Sequence, residues 1–235
     1  EKSEKSNIAF ISSEKDIDGL YETRGITNIA YSRLFFYKTL PDIDYVIYSD
    51  VDVLFYTDLS EFKNFEYDKY VLGAVKDVNL NRTHLWEERI EKFAHWQKFM
   101  KNKCHKYFLS GFLLMNLKKI RETIDENKLQ NLLTYEFSFQ DQDILNILFE
   151  DKNICYLPSK YCTMPKQITA NIYNEALEDG ILTKQEYDEI FNSPAIYHWA
   201  GRKPWNDVYD PNSKIWWDYV IKDKELSKGF IGDYN

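Results

Sequence analysis

Short apolar runs alternate with charged stretches along the chain, and their periodicity sorts them into strands and helices. Residues 45–48 (YVIY) and 71–75 (VLGAV) lack polar alternation, the pattern of strands covered on both faces in a parallel sheet. Each ends at acids, Asp50 and Asp52 after the first and Asp77 after the second. Such strand ends mark one edge of an open sheet, where α/β folds bind ligands. Residues 8–11 (IAFI), 108–117 and 195–197 read as further strands. Helices are predicted where apolar positions recur every three or four residues. Thr27 offers an N-cap to a helix through Ile29, Leu34, Phe35 and Tyr37 that carries Arg33 and stops before Pro41. Trp86, Ile90, Phe93 and Met100 describe an amphipathic lid or surface helix within residues 83–101. Residues 141–149 form another, and Thr183-Lys-Gln-Glu186 is a capping box that opens a third. The alternation of strand and helix predicts an α/β fold.

Composition narrows the class. The 235 residues are 44% hydrophobic, with 18 Tyr, 15 Phe and 6 Trp, enough for a sizeable core. No internal repeat, Pro-rich linker or break in composition divides the chain, so one domain over residues 1–235 is expected. A net charge of −8 is the wrong sign for a phosphate backbone, which excludes nucleic acid as a partner. Three cysteines without close-paired spacing give no disulfide framework and no thiolate zinc site, in keeping with a cytoplasmic protein. The longest apolar stretch is broken by Ser110, Gly111 and Asn116, so no transmembrane segment is read. Trp216 and Trp217 beside Lys222, Lys224 and Lys228 leave room for peripheral membrane contact, with a packed terminal helix preferred.

Candidate chemistry begins with Asp-x-Asp, which occurs four times: Asp16/Asp18, Asp42/Asp44, Asp50/Asp52 and Asp141/Asp143. Only Asp50 and Asp52 follow a buried-type strand directly. Two carboxylates there repel unless a cation sits between them; the plainer reading is a solvated turn. A rarer combination stands far downstream, His198-Trp-Ala-Gly201-Arg-Lys203-Pro-Trp205. A neutral imidazole can complete an oxygen-rich site for Mn²⁺, Gly201 lets backbone approach a ligand, and Lys203 can face phosphate oxygens. Because an imidazole ligates only when neutral, activity should fall as pH drops through about 6.5. His84, His95 and His105 have no such company and read as packing residues.

Two further segments complete a pattern, Ser110-Gly111-x-x-x-x-Asn116-Leu and Gln140-Asp141-Gln142-Asp143-Ile-Leu-Asn146. Taken in order with the strand-Asp-x-Asp and His-x-x-Gly segments, they resemble family 8 glycosyltransferases, the group of glycogenin and of bacterial lipopolysaccharide galactosyl- and glucosyltransferases, over residues 8–205. The resemblance implies a GT-A nucleotide-sugar fold with a mostly parallel central sheet flanked by helices. It also implies Mn²⁺ or Mg²⁺, a UDP-hexose donor, a saccharide, lipopolysaccharide or glycoprotein acceptor, and retention of anomeric configuration. Carried over by residue, Asp50, Asp52 and His198 would be metal ligands and Arg33 a donor contact. Ser110 and Gly111 would line the substrate site, and Gly201 and Lys203 would meet the diphosphate. Asp141 would hold sugar hydroxyls, Gln142 would lie beneath the anomeric carbon, and Asp77 would border the acceptor. Ser110 stands where the family often has Asn, and the His-to-Lys spacing leaves Arg202 or Lys203 as the phosphate contact. The family's first strand and its uridine-gripping loop have no counterpart here, so roughly 50 to 60 residues are expected to precede Glu1, given the length of a βαβ unit. Two other readings stay open: a haloacid dehalogenase-like phosphatase, whose nucleophile strand also carries Asp-x-Asp, and a non-catalytic sugar-nucleotide binding module.

Overall fold

Strand β4 (Phe108–Asn116) is buried along all nine residues, and it organises two cores: its side chains alternate faces over Phe112–Met115, with the phase shifted at Phe108 and Leu109 by an irregularity in its pairing. Phe108, Leu113 and Met115 enter the larger cluster with Tyr31, Leu34, Ile144 and Leu145. Leu109, Phe112 and Leu114 enter a second with Phe62, Met164 and Ile196. Each such side chain contributes about 1.5–3 kcal/mol on full burial. The computed structural model describes residues 9–12, 14–23, 25–82, 98–99, 106–150, 152–206, 209–223 and 227–228.

The main sheet has the order β1-β4-β3-β5, with β1 at Tyr45–Ser49, β3 at Leu72–Lys76 and β5 at Ile154–Leu157. β4 is antiparallel to both β1 and β3, while β3 and β5 are parallel. β1, β3 and β5 therefore point one way and β4 alone opposes them, but because β4 lies between β1 and β3, two of the three pairings are antiparallel and the described sheet is mixed rather than mostly parallel. Asp50 and Asp77 consequently leave the same sheet edge. β3 has the expected double cover, but β1 is only half-buried with Tyr45 exposed, because among the described strands it has a neighbour on one side only.

The strand expected at residues 8–11 is not formed over Ala9–Ile11, where Phe10 is 98% exposed. An apolar run becomes a strand only where a sheet edge receives its backbone, and no described strand pairs with this one; Ile8 lies outside the described residues. The helix expected within residues 83–101 also lies outside them, apart from Lys98 and Phe99, which are helical.

A second, two-stranded sheet joins β2 (Val53–Phe55) to β6 (Ile196–His198), antiparallel, with Val53 opposite His198. The segment after Thr27 is helical but wound as a 3₁₀ helix over Asn28–Phe35 before one α turn at Phe36–Thr39. Thr27 makes no side-chain cap there; Glu22 instead accepts from the Asn28 N–H at 2.7 Å. The capping box of Thr183 and Glu186 is present on Lys184–Asn192. The helix Lys214–Val220 packs as expected, Trp217 donating to the Pro204 carbonyl at 2.9 Å and Trp216 meeting Trp199 edge-on at 5.5 Å. No helix among the described residues is long and apolar enough to cross a membrane.

Eight of the nine residues of the helix Gln140–Leu148 are buried, several of them polar. Asn146 fixes this helix to β4: its Oδ1 accepts from the Phe108 N–H at 2.9 Å, and its Nδ2 donates to the Phe108 and Gln142 carbonyls at 2.8 and 2.9 Å. Asn146→Ala leaves the buried N–H and C=O of Phe108 without these partners, at about 1–3 kcal/mol each. A drop in unfolding free energy of that size in urea titrations is the expected result; an unchanged midpoint would contradict it.

Candidate active site

Asp50 leaves the end of β1 with its two carboxylate oxygens committed differently. Oδ1 accepts from the Tyr48 hydroxyl at 2.5 Å and from Arg33 Nη2 at 2.9 Å. Oδ2 faces His198 Nε2 at 3.4 Å. Val51 points to solvent, and Asp52 turns back inside, 3% exposed. Its Oδ1 lies 3.5 Å from His198 Nε2, and its Oδ2 accepts from Lys203 Nζ. The pairing of β2 with β6 makes this possible, since Val53 opposite His198 sets the imidazole beside the residue that precedes β2. Asp50, Asp52 and His198 each offer a ligand atom, all within 4.8 Å of one another.

Gly111 gives the cluster its room. A Cβ there would sit 2.3 Å from His198 Cε1, 2.7 Å from Nδ1 and 3.1 Å from Asp50 Oδ2, while the Gly111 carbonyl accepts from the Asp50 N–H at 2.9 Å. The other face of the imidazole's polar edge is also occupied, Nδ1 lying 3.6 Å from Cys162 Sγ. A ring proton on Nδ1 then points at sulfur and leaves the Nε2 lone pair toward the carboxylates, the tautomer a metal ligand needs.

The charges are mutually compensating. Burial disfavours the imidazolium of His198, but hydrogen bonds to Asp50 and Asp52 outweigh it and raise its pKa well above the usual histidine range. Burial likewise pushes Asp50 and Asp52 upward, yet His198 with Arg33 on Asp50, and His198 with Lys203 on Asp52, hold both below the carboxylate norm, Asp52 at about 2. Two carboxylate oxygens and an imidazole nitrogen, with a glycine keeping the space open, suit Mn²⁺ or Mg²⁺. Such a cation has to displace the proton on His198.

Arg33, buried on its 3₁₀ turn, is held by three hydrogen bonds and a ring stack. Nε donates to the Ala30 carbonyl at 2.9 Å, Nη1 to the Ser110 carbonyl at 2.6 Å and Nη2 to Asp50, and the guanidinium stacks 4.3 Å above the Tyr48 ring. Arg33 Nε also lies 3.2 Å from Asp141 Oδ2. Because that N–H is aimed at Ala30, Asp141 Oδ2 gains charge compensation but no aligned hydrogen bond. It is a buried acceptor with spare capacity. Burial raises the Asp141 pKa, against the pull of Arg33.

The next residue, Gln142, is fixed at both ends of its amide. Oε1 accepts from the Ser110 N–H at 3.0 Å, and Nε2 donates to the Tyr107 hydroxyl at 3.3 Å, which itself donates to Asp143 Oδ1 at 2.7 Å. Ser110 anchors Arg33 by its carbonyl and Gln142 by its N–H, and its side chain hydrogen-bonds to the Asp141 carboxyl.

Of the residues singled out from sequence, Asp50, Asp52, His198, Gly111, Lys203, Arg33, Ser110, Asp141 and Gln142 form one connected set. Asp77 is at the same sheet edge, but its Oδ1 accepts from the Asn79 and Leu80 N–H groups at 3.0 Å each and closes a turn. Gly201 has φ +107°, a conformation that side chains resist, and it turns the chain between His198 and Lys203. Lys203 reaches the acids, whereas the exposed Arg202 lies 3.7 Å from Asp210. Tyr48, Tyr107 and Cys162 were not evident from sequence.

Residues 2–208 match the profile of Glycosyl transferase family 8. The chain belongs to glycosyltransferase family 8. Membership in family 8 displaces the phosphatase reading of the Asp-x-Asp strand. The chain is 29% identical over 219 residues to the glycosyltransferase GlyF of Streptococcus pneumoniae, covering 91% of this chain and 47% of GlyF. It is 27% identical over 182 residues to the lipopolysaccharide 1,2-glucosyltransferase of Escherichia coli, covering 75% and 48%. It therefore spans about half the length of these two relatives. Among solved structures, the galactosyltransferase LgtC in complex with donor and acceptor sugar analogs superimposes with a TM-score of 0.67 at 29% identity, over 95% of this chain and 76% of that one. The α/β architecture is thus that of the GT-A members of family 8.

Proposed function

We propose that the protein is a metal-dependent retaining hexosyltransferase that moves glucose or galactose from a UDP-sugar to a saccharide, lipopolysaccharide or glycoprotein acceptor. The observation that carries this reading is the convergence of Asp50 Oδ2, Asp52 Oδ1 and His198 Nε2, with Lys203 on one side and the Arg33–Asp141 pair on the other. When bound, Mn²⁺ or Mg²⁺ would supply Lewis-acid neutralisation of a diphosphate leaving group. Lys203, held by Asp52 and by a long contact to the Trp199 carbonyl at 3.4 Å, is placed on its flexible stem to exchange that carboxylate for a phosphate oxygen. Arg33 fixes Asp50 and Asp141 relative to each other, and the second N–H groups of Nη1 and Nη2 are the ones it keeps for a donor contact. Asp141, at the wall of the cluster and 5% exposed, accepts a donor-sugar hydroxyl and so orients the anomeric carbon.

The deciding experiment offers UDP-glucose, UDP-galactose and their N-acetyl forms with Mn²⁺ and follows UDP release. Release from a hexose donor, lost on chelation, is the expected outcome. Tight UDP binding with no transfer or hydrolysis from any donor would favour the binding module instead.

The raised pKa of His198 moves the expected pH dependence. Proton and cation compete for Nε2, so Mn²⁺ affinity should weaken as pH falls, and the weakening should begin above the ordinary histidine range rather than at about 6.5. Calorimetry at neutral pH in buffers of different ionisation enthalpy should register about one proton released per cation bound. Binding without proton release would remove His198 from the ligand set.

A further inference from the structure

We infer that Tyr48, which no sequence motif marks, is the positioning residue that decides which oxygen of Asp50 serves the cation; the inference rests on the metal-site reading above. Tyr48 and Asp50 are two apart on and just beyond an extended strand, so their side chains leave the same face. The hydroxyl donates to Asp50 Oδ1 at 2.5 Å, and Arg33 Nη2 donates to the same oxygen at 2.9 Å. Both acceptor directions of Oδ1 are thereby taken, and Oδ2 alone remains toward His198 and Asp52.

The arrangement answers a local hazard. An aspartate beside an arginine tends toward a two-oxygen fork on the guanidinium, which would draw Oδ2 out of the cluster. Here Nε and Nη1 of Arg33 are occupied by the Ala30 and Ser110 carbonyls, and Tyr48 fills the remaining position on Oδ1. The ring has a second duty: it lies under the guanidinium at 4.3 Å and is backed by Phe36 at 5.7 Å between centroids. Tyr48 therefore holds the arginine whose Nε stands 3.2 Å from Asp141. Burial, against the pull of Arg33, raises the phenol pKa, so the hydroxyl stays a donor. One side chain orients the metal carboxylate through its hydroxyl and the sugar-side arginine through its face.

The two duties separate by substitution. Tyr48→Phe keeps the face and loses the hydroxyl; Tyr48→Leu loses both. Mn²⁺ binding to each variant, measured by calorimetry without donor, is compared with wild type and Asp50→Ala, with thermal melts to confirm folding. Tyr48→Phe should weaken Mn²⁺ by about 10–100-fold, the usual scale for removing a hydrogen bond behind a ligand, and recover its rate at saturating Mn²⁺. Tyr48→Leu should weaken Mn²⁺ similarly and remain slow at saturation, because Arg33 has lost its platform. If Tyr48→Phe binds Mn²⁺ like wild type while Asp50→Ala does not bind it, the positioning role is wrong and the metal reading stands. If Asp50→Ala also binds like wild type, the metal reading fails and takes this inference with it.

Discussion

Gly111→Ala is expected to abolish cation binding while leaving the protein folded. The added methyl would lie 2.3 Å from His198 Cε1, well inside van der Waals contact, and neither backbone can yield easily. Gly111 sits mid-strand in the fully buried β4, and His198 is held by its pairing with Val53 and by its N–H on the Thr163 carbonyl at 2.9 Å. The imidazole therefore has to swing away, taking with it the nitrogen that faces both carboxylates. Overpacking of this kind costs about 1–3 kcal/mol of stability. The rate should fall on the order of 10²–10³-fold, the scale of deleting one preorganised electrostatic partner. Mn²⁺ titration together with a thermal melt separates the two effects. Wild-type Mn²⁺ affinity in a folded Gly111→Ala protein would mean that His198 is not a ligand.

Asp141→Asn is expected to do the reverse, sparing Mn²⁺ affinity and removing most of the rate. In the proposed reading this carboxylate accepts a sugar hydroxyl, and the amide halves its acceptor capacity beside Arg33. Lost positioning of this kind is worth on the order of 10²-fold in turnover. The same geometry bears on how configuration is retained. A double displacement needs a carboxylate nucleophile near the anomeric carbon, whereas Gln142 presents an amide already bonded to Ser110 and Tyr107. For the retaining transfer proposed above, same-face attack is therefore the expected course, in which the leaving diphosphate oxygen would take the acceptor proton while Asp141 orients the sugar. Mass spectrometry of wild-type protein after reaction with donor is the check: a glycosyl adduct on Asp141 would replace same-face attack with double displacement.

Local signals carried most of this site. Asp50 could be separated from three other Asp-x-Asp pairs because a strand of the right character precedes it, and His198 from three other histidines because Gly201 and Lys203 follow. Those are short-range facts. Tyr48 was hidden because a tyrosine in a β-rich run looks like any other strand residue; only the tertiary arrival of Arg33 gives its face and hydroxyl partners. Cys162 was hidden because its relation to His198 depends on the docking of β6 beside Thr163. The same limit explains β1, whose apolar run suggests cover on both faces, and residues 9–11, whose apolar run joins no edge among the described residues. Periodicity reports what a segment can bury, and strand order decides what is there to bury it.

The order of the parts along the chain has a consequence for how the protein is made. β2 finds its partner in β6, and Asp52 meets Lys203 across 151 residues of sequence. A ribosome adding about 5–20 residues per second therefore makes the acidic pair roughly seven to thirty seconds before it supplies the imidazole and the lysine. Throughout that interval the growing polypeptide displays the acids without the groups that complete the proposed site. If the proposed transfer is right, a half-built site cannot spend an activated sugar, and the site is complete only once Lys203 has been added.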